Sequence, residues 1–193
     1  MSASTKKLTV LAMLTALSAV LITLVHFPLF PAAAFLEYDP ADVAILIGTF
    51  AFGPMAGLAV TVIASAIQAF LLGGAGMYGF LMHVIASGTL VLVAGNIYRL
   101  FHTRMGGLIA LVAGTVAMGL VMMVANHFIT PHFMGQPTAV VDALLLPGIL
   151  PFNLLKAGIN SAVTFLVYKT VSRHIVHGEG WERKPSSGME NEA

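Results

Sequence analysis

Five long apolar runs constrain this chain more than any other feature of its sequence. They lie at about 7–27, 55–72, 79–101, 105–126 and 148–172. Each is close to the ~20 residues that an α-helix needs to cross a bilayer. Only 9% of the 193 residues are charged and 58% are hydrophobic, whereas soluble domains carry about 25% charged residues. Because so few charges cannot cover a water-facing surface, the sequence predicts an all-α integral membrane protein.

A sixth apolar run, at 41–52, is short. At about 1.5 Å per residue it reaches only ~18 Å, less than the ~30 Å hydrocarbon core. The distribution of charge decides whether it crosses the membrane. The basic residues near the runs form three groups, which are Lys6 with Lys7, Arg99 with Arg104, and Lys169 with Arg173, Arg183 and Lys184. These groups share one side only if all six runs cross, and the positive-inside rule makes that side cytoplasmic.

We therefore predict six transmembrane helices with both termini in the cytoplasm. They form one domain at 1–173, followed by a polar, disordered cytoplasmic tail at 174–193. Neighbouring helices must shield the short run, or residues before Ala41 must lengthen it. The loops on the opposite side carry only acidic charges, at Glu37, Asp39, Asp42 and Asp142. Two outer segments, 28–40 and 127–147, contain prolines and aromatic residues without a helical pattern, which predicts irregular lids.

A polar stripe interrupts the last apolar run. Asn153, Lys156, Asn160 and Thr164 follow one another at spacings of 3, 4 and 4, which places them on one face of a helix. A lysine near the bilayer centre costs about 2.5–3.5 kcal/mol. Lys156 could reach the outer surface, or pair with an outer-loop carboxylate, or line a water-accessible cavity that opens outward. The two carboxamides favour the cavity, because each offers donors and an acceptor to a planar ligand.

Other candidates lie toward the same side of the membrane. Asn126 ends the fifth span, where it could join helices or face the cavity. His83 in the fourth span could be satisfied by a neighbour or bind a ligand. Aromatic residues cluster on the outer side, in a membrane-interface belt or in a pocket that stacks on a flat ring, and Phe152 is among them. The spacing of the outer histidines fits no metal site.

The sequence contains no sign of an enzyme. It has no phosphate-binding G-x-x-x-x-G-K-[ST] loop, no H-E-x-x-H, no G-x-S-x-G and no cysteine. Ala12 and Ala16 in the first span form a small-xxx-small pair, a face that lets another helix approach closely. We therefore expect a binding or transport protein with no catalytic residues, no metal and no cofactor.

Four stretches carry a resemblance to a known family. They are FLEYDPADVAILIGTFAFGPMAGLAV (35–60), GFLMHVIASG (79–88), NHFITPHFMG (126–135) and LPFNLLKAGINSAVTFLVYK (150–169). Together they resemble the substrate-binding (S) component of energy-coupling-factor (ECF) vitamin transporters, most closely the riboflavin-specific type. The resemblance implies six helices, an outward vitamin pocket, and partners in a membrane coupling (T) protein and two ABC-type ATPases.

The resemblance also implies roles for individual residues. Asn126, Asn153 and Lys156 match positions that contact the vitamin, and Ala12 and Ala16 match the face that meets the T protein. The LEYD segment, which contains Leu36 and Tyr38, matches the loop that closes over the vitamin. With the stripe and the outer-side candidates, the expected substrate-binding set is Asn126, Asn153, Lys156, Tyr38, Leu36, Asn160, His83 and Phe152.

The sequence thus predicts a riboflavin-binding S component in the bacterial plasma membrane, with riboflavin as transported ligand and no nucleic acid partner. Two alternatives stay open. One is an S component for another small heterocyclic vitamin, and the other is a multi-pass membrane protein without a transport role.

Overall fold

The computed structural model describes residues 3–30, 35–73 and 75–171, and nearly all of these residues are helical. The helices are α1 (Ala3–Leu24), α2 (Ala41–Phe52), α3 (Pro54–Ala66), α4 (Gly76–Leu100), α5 (Arg104–Met134), α6 (Thr138–Leu144) and α7 (Leu150–Val171). A π-helical turn, Ile67–Leu71, continues α3, and a second, Leu145–Ile149, joins α6 to α7. The predicted tail at 174–193 lies outside the described residues.

Five helical segments of the described chain are long and apolar enough to cross a membrane, and α2 is a shorter apolar helix beside them. Ten of the twelve α2 residues, Ala41–Phe50, are buried. The helix begins at Ala41, so neighbouring helices shield it and no earlier residues lengthen it. Glycines permit this close packing: a Cβ on Gly95 of α4 would lie 2.7 Å from Cγ2 of Thr49, and Gly57 of α3 also packs against Thr49.

The bundle has two chemically different ends. The acidic residues Glu37, Asp39, Asp42 and Asp142 lie at the end that carries the α1–α2 connection, which we call the hairpin end. At that end β1 (Phe27–Pro28) and β2 (Glu37–Tyr38) pair antiparallel, with Phe27 opposite Tyr38. The side chains of Lys6, Lys7, Arg99 and Arg104 lie at the opposite, basic end. This segregation is the pattern that six crossings require, although which end faces the cytoplasm stays a prediction.

The predicted irregular lid at 127–147 is wrong. Helix α5 continues to Met134, a turn occupies only 135–137, and α6 with its π-helical turn leads directly into α7. Gly135, at φ 62°, ends α5, but Pro131 lies inside α5 and Pro147 inside the π-helical turn, so neither breaks the helix. Tertiary packing explains this, because Val141 is fully buried in an apolar cluster at the hairpin end. The other expected lid, 28–40, contains no helix in its described residues.

Pro147 was also expected in the first turn of the last helix. Pro151 does occupy the second position of α7, but Pro147 lies within the preceding π-helical turn. The main core lies deeper in the bundle, where α2, α4, α5 and α7 meet around Leu46, Leu90 and Met118. The hairpin end above this core therefore has room for a cavity.

Candidate ligand-binding site

A cavity of about 430 Å³ opens at the hairpin end of the bundle. Pockets for small molecules usually measure about 300–1,000 Å³. Its walls come from the loop at 35–39, from Gln68 in the π-helical turn after α3, and from α4, α5 and α7. Apolar and aromatic side chains predominate, and a few polar groups converge on them. This composition is typical of a site that binds a largely apolar small molecule.

Six of the eight predicted substrate-binding residues line this cavity. They are Leu36, His83, Asn126, Phe152, Asn153 and Lys156. Tyr38 and Asn160 do not line it. Contact of any of these residues with a ligand stays a prediction, but four separate parts of the chain, the loop at 35–39 and helices α4, α5 and α7, bring the six residues to one place.

Two carboxamides of the cavity are held by their own helices. Nδ2 of Asn126 donates to the Met122 carbonyl at 2.7 Å, and Nδ2 of Asn153 donates to the Ile149 carbonyl at 2.8 Å. Thr130 Oγ1 donates to Asn126 Oδ1 at 2.7 Å. Each amide group still has one N–H without an acceptor in the described residues. Oδ1 of Asn153 likewise has no donor among them. Both groups are therefore oriented in advance, with hydrogen-bonding capacity to spare.

Lys156 forms a buried ion pair at the cavity wall. Its Nζ donates to Oδ2 of Asp39 at 2.7 Å, and the two residues are only 8% and 1% exposed. Snorkelling of this lysine to the surface is therefore wrong. The other two alternatives are both correct, because Lys156 pairs with the loop carboxylate of Asp39 and also lines the cavity. An ammonium has three donors, so the pair leaves capacity for a ligand.

The Asp39 carboxylate is kept charged by its partner. Burial alone raises the pKa of this carboxyl, but the Lys156 ammonium and its hydrogen bond outweigh burial, so the pKa of Asp39 lies below its ordinary value. Oδ1 of Asp39 accepts from the Ala41 amide at 3.1 Å, which places this carboxylate at the start of α2. The charge pair thus connects the first loop to α7.

Asn160 and Tyr38 belong to a buried network beside the cavity. Nδ2 of Asn160 donates to the Asp39 carbonyl at 3.1 Å and to Oδ2 of Asp42 at 3.2 Å. The Tyr38 hydroxyl donates to Oδ1 of Asn160 at 3.0 Å, and Ser87 Oγ donates to Oδ1 of Asp42 at 2.5 Å. Because these bonds use most of the hydrogen-bonding capacity of Asn160, we assign it and Tyr38 to anchoring the first loop and the start of α2 on α7.

The comparisons with known proteins agree with this geometry. Residues 6–168 match the family described as the ECF transporter, substrate-specific component. The chain belongs to this family of S components. The resemblance predicted from the sequence is thereby confirmed. Family membership makes the chain a transporter component, and it gives no support to the alternative of a membrane protein without a transport role.

Relatives of the S component cover most of its length. The riboflavin transporter RibU of Staphylococcus aureus (strain TCH60) is 27% identical over 176 residues, which are 88% of this chain and 92% of the relative. The riboflavin transporter FmnP of Bacillus subtilis (strain 168) is 31% identical over 172 residues, 84% of this chain and 90% of the relative. A solved structure described as the S component of a bacterial ECF transporter has a TM-score of 0.79 at 27% identity, covering 88% of this chain and 97% of that one.

Sequence reasoning missed several residues of the S-component cavity. Met118, Met122 and Thr130 line it together with Asn126, at a strict spacing of four on one face of α5. This periodicity could have identified them. Gln68, the lone polar side chain between residues 66 and 72, was a second available signal. Of the outer aromatic residues, Phe35, Tyr78, Phe133 and Phe152 line the cavity.

Two exposed histidine–carboxylate contacts lie at the hairpin end, and of their four residues only Glu37 lines the cavity. His26 Nε2 lies 2.6 Å from Glu37 Oε2, and His127 Nδ1 lies 2.6 Å from Asp142 Oδ1. The first contact closes the base of the β1–β2 hairpin and the second joins α5 to α6. Within residues 3–30, 35–73 and 75–171 no three potential metal ligands come together.

Ala12 and Ala16 lie on the surface of α1, away from the cavity. Both are exposed, whereas Leu14 and Ser18 on another face of α1 are buried against the bundle. Ser18 Oγ donates to the Ala41 carbonyl at 2.9 Å, which joins α1 to the start of α2. The small pair is thus free to meet another helix, and its role in docking stays a prediction.

Proposed function

We propose that this S component binds riboflavin at the hairpin-end cavity and delivers it to an ECF-type importer. The observation that carries the proposal is the set of oriented polar groups, Asn126, Asn153 and Lys156, in a cavity whose lining is mostly apolar and aromatic. A flavin ring is flat and largely apolar, with donors and acceptors at one end, and the carboxamides and ammonium complement that end. The names of RibU and FmnP support the choice of riboflavin over another vitamin.

The proposal includes a direction of transport. The hairpin end faces the outside and the basic end faces the cytoplasm, because the positive-inside rule favours Lys and Arg in cytoplasmic loops. Both termini are then cytoplasmic. The cavity would receive riboflavin from outside the bacterial cell membrane.

Partner subunits supply the energy in this proposal. The chain has no phosphate-binding loop of the kind that ATPases use, and its family is that of a component, not of a whole transporter. We infer a membrane T protein, docked on the α1 surface at Ala12 and Ala16, and two ABC-type ATPases bound to it. Riboflavin is the transported ligand in this arrangement and not a cofactor.

The binding step can be tested on the purified S component alone. The protein in detergent, stripped of bound flavin by partial denaturation and refolding, is titrated into riboflavin while flavin fluorescence is recorded. We expect saturable quenching at one flavin per chain, without ATP or partners, since the oriented cavity groups lose little entropy on binding. No quenching at micromolar protein would contradict the proposal. Biotin and thiamine in excess serve as controls and should not restore the fluorescence.

A further inference from the structure

His83 is the least satisfied polar side chain of the cavity. It is only 9% exposed, it lines the cavity from α4, and neither ring nitrogen has a hydrogen-bond partner in the described residues. Buried polar groups almost always have a partner, and an unsatisfied one carries a full desolvation cost. The nearby Asp39 carboxylate accepts from Lys156 and from the Ala41 amide, and neither of its oxygens is bonded to His83. Among the described residues, both ring nitrogens of His83 are therefore left able to bond a ligand in the cavity.

Gln68 is a second cavity-lining side chain with an unsatisfied polar atom. Its Oε1 is buried without a partner in the described part of the chain, and the residue lines the cavity. It lies in the π-helical turn Ile67–Leu71, which packs against α4. Single π-helical turns are frequent at functional sites, where they reposition a side chain. Two unsatisfied side chains thus meet the cavity from α4 and from the π-helical turn after α3, whereas the carboxamides and Lys156 come from α5 and α7.

The two walls differ in how their polar groups are held. Asn126 and Asn153 are oriented by bonds to their own helices, as suits a rigid ring with donors and acceptors at set positions. Within residues 3–30, 35–73 and 75–171, no hydrogen bond orients the side chain of His83 or Gln68, so both can adjust to the position of a ligand group. A neutral imidazole and a carboxamide each offer a donor and an acceptor, and a hydroxyl also donates and accepts.

We propose that His83 and Gln68 form a polyol subsite, which binds the hydroxylated chain of the ligand while the α5 and α7 wall binds its ring. This inference rests on the proposed binding of riboflavin, whose chain carries hydroxyls along its length. An imidazole and a carboxamide match the donors and acceptors of hydroxyl groups, so the subsite suits a polyol chain. It gives both side chains the partners that the described part of the chain does not provide.

The test compares two flavins on the same variants. Riboflavin carries the polyol chain, and lumiflavin has the same ring with a methyl group in its place. His83→Phe keeps an aromatic ring but removes both ring nitrogens. Gln68→Leu keeps an apolar side chain of similar size but removes the carboxamide. For each variant we expect riboflavin affinity to fall roughly 10-fold, as for the loss of one hydrogen bond in a buried site, with lumiflavin affinity unchanged.

Two controls make the comparison specific. His102→Phe makes the same substitution at an exposed residue of the basic end and should leave both affinities unchanged. Asn153→Leu, on the α7 wall, should weaken both flavins by the same factor. The ligand-free His83→Phe protein should melt no lower than wild type, because the substitution removes no hydrogen bond within the protein. A melting temperature well below wild type would identify His83 as a structural residue and overturn the proposal.

The remaining outcomes are equally decisive. Equal weakening of riboflavin and lumiflavin by His83→Phe and Gln68→Leu would place these residues against the ring and overturn the polyol subsite. No change for either flavin would overturn it as well. A wild-type protein that binds neither flavin contradicts the proposed function itself, and this subsite with it. Normal wild-type binding with the wrong pattern in the variants contradicts the subsite alone.

Discussion

At the scale of single residues, Lys156 raises the question of whether it serves the fold or the ligand. Removing it alone leaves Asp39 buried without a partner, a change that typically costs about 3–5 kcal/mol of stability. A weaker-binding Lys156→Met variant would therefore have two explanations. Replacing both charges with neutral groups of similar size is often nearly neutral for stability. The double variant Lys156→Met with Asp39→Asn separates the two roles.

We expect the double variant to melt close to wild type while binding riboflavin about 10- to 100-fold more weakly, as for a lost bond to a charged group worth ~1.5–3 kcal/mol. Asp39→Asn alone retains the ammonium and should lose less affinity. Lys6→Ala, at the exposed basic end, should change nothing in this assay. Melting curves and fluorescence titrations check these values. If the double variant binds as tightly as wild type, Lys156 serves only to neutralise Asp39.

At the scale of an element, α1 presents one face to the bundle and another outward. Replacing Ala12 and Ala16 with leucine adds bulk where a second helix must approach closely, so we expect riboflavin uptake by cells to collapse. Binding by the isolated S component should stay within about twofold, since the pair lies away from the cavity. Ala139 and Ala143 of α6 form a matched exposed pair with the same spacing, and leucines there should leave uptake intact.

Two outcomes of the binding and uptake measurements would contradict docking at Ala12 and Ala16. If binding and uptake fall together, the alanines support internal packing of the bundle. If neither changes, the docking surface lies elsewhere on the S component.

At the scale of the whole molecule, the orientation in the membrane follows from charge. The chain has no cysteine, so single introduced cysteines report their own side without background. Gln136→Cys lies in the exposed turn of the hairpin end and His102→Cys in the exposed turn of the basic end. We expect a membrane-impermeant thiol reagent to label Gln136→Cys in intact cells and His102→Cys only after permeabilisation. The reverse pattern would invert the proposed direction, and labelling of both from outside would contradict six crossings.

The sequence by itself determined the number of spans and the residue types of the site. A bilayer demands about 20 apolar residues per crossing, and this requirement is local, so the runs could be located without tertiary information. The short α2 also followed, because the segregation of acidic and basic residues requires a sixth crossing. Asn126, Asn153 and Lys156 stood out because polar groups are costly within apolar spans.

Only the tertiary structure decided what those polar groups contact. Lys156 and Asp39 are 117 residues apart in sequence, and no local pattern indicates that their side chains meet. Asn160 belongs to the same polar stripe as Lys156, yet Asp42 and Tyr38 take its hydrogen bonds. The stripe specifies a helix face, but a face of several turns contacts different neighbours along its length. Packing likewise kept the segment at 127–147 largely helical despite its prolines, because burial of an apolar face outweighs local turn signals.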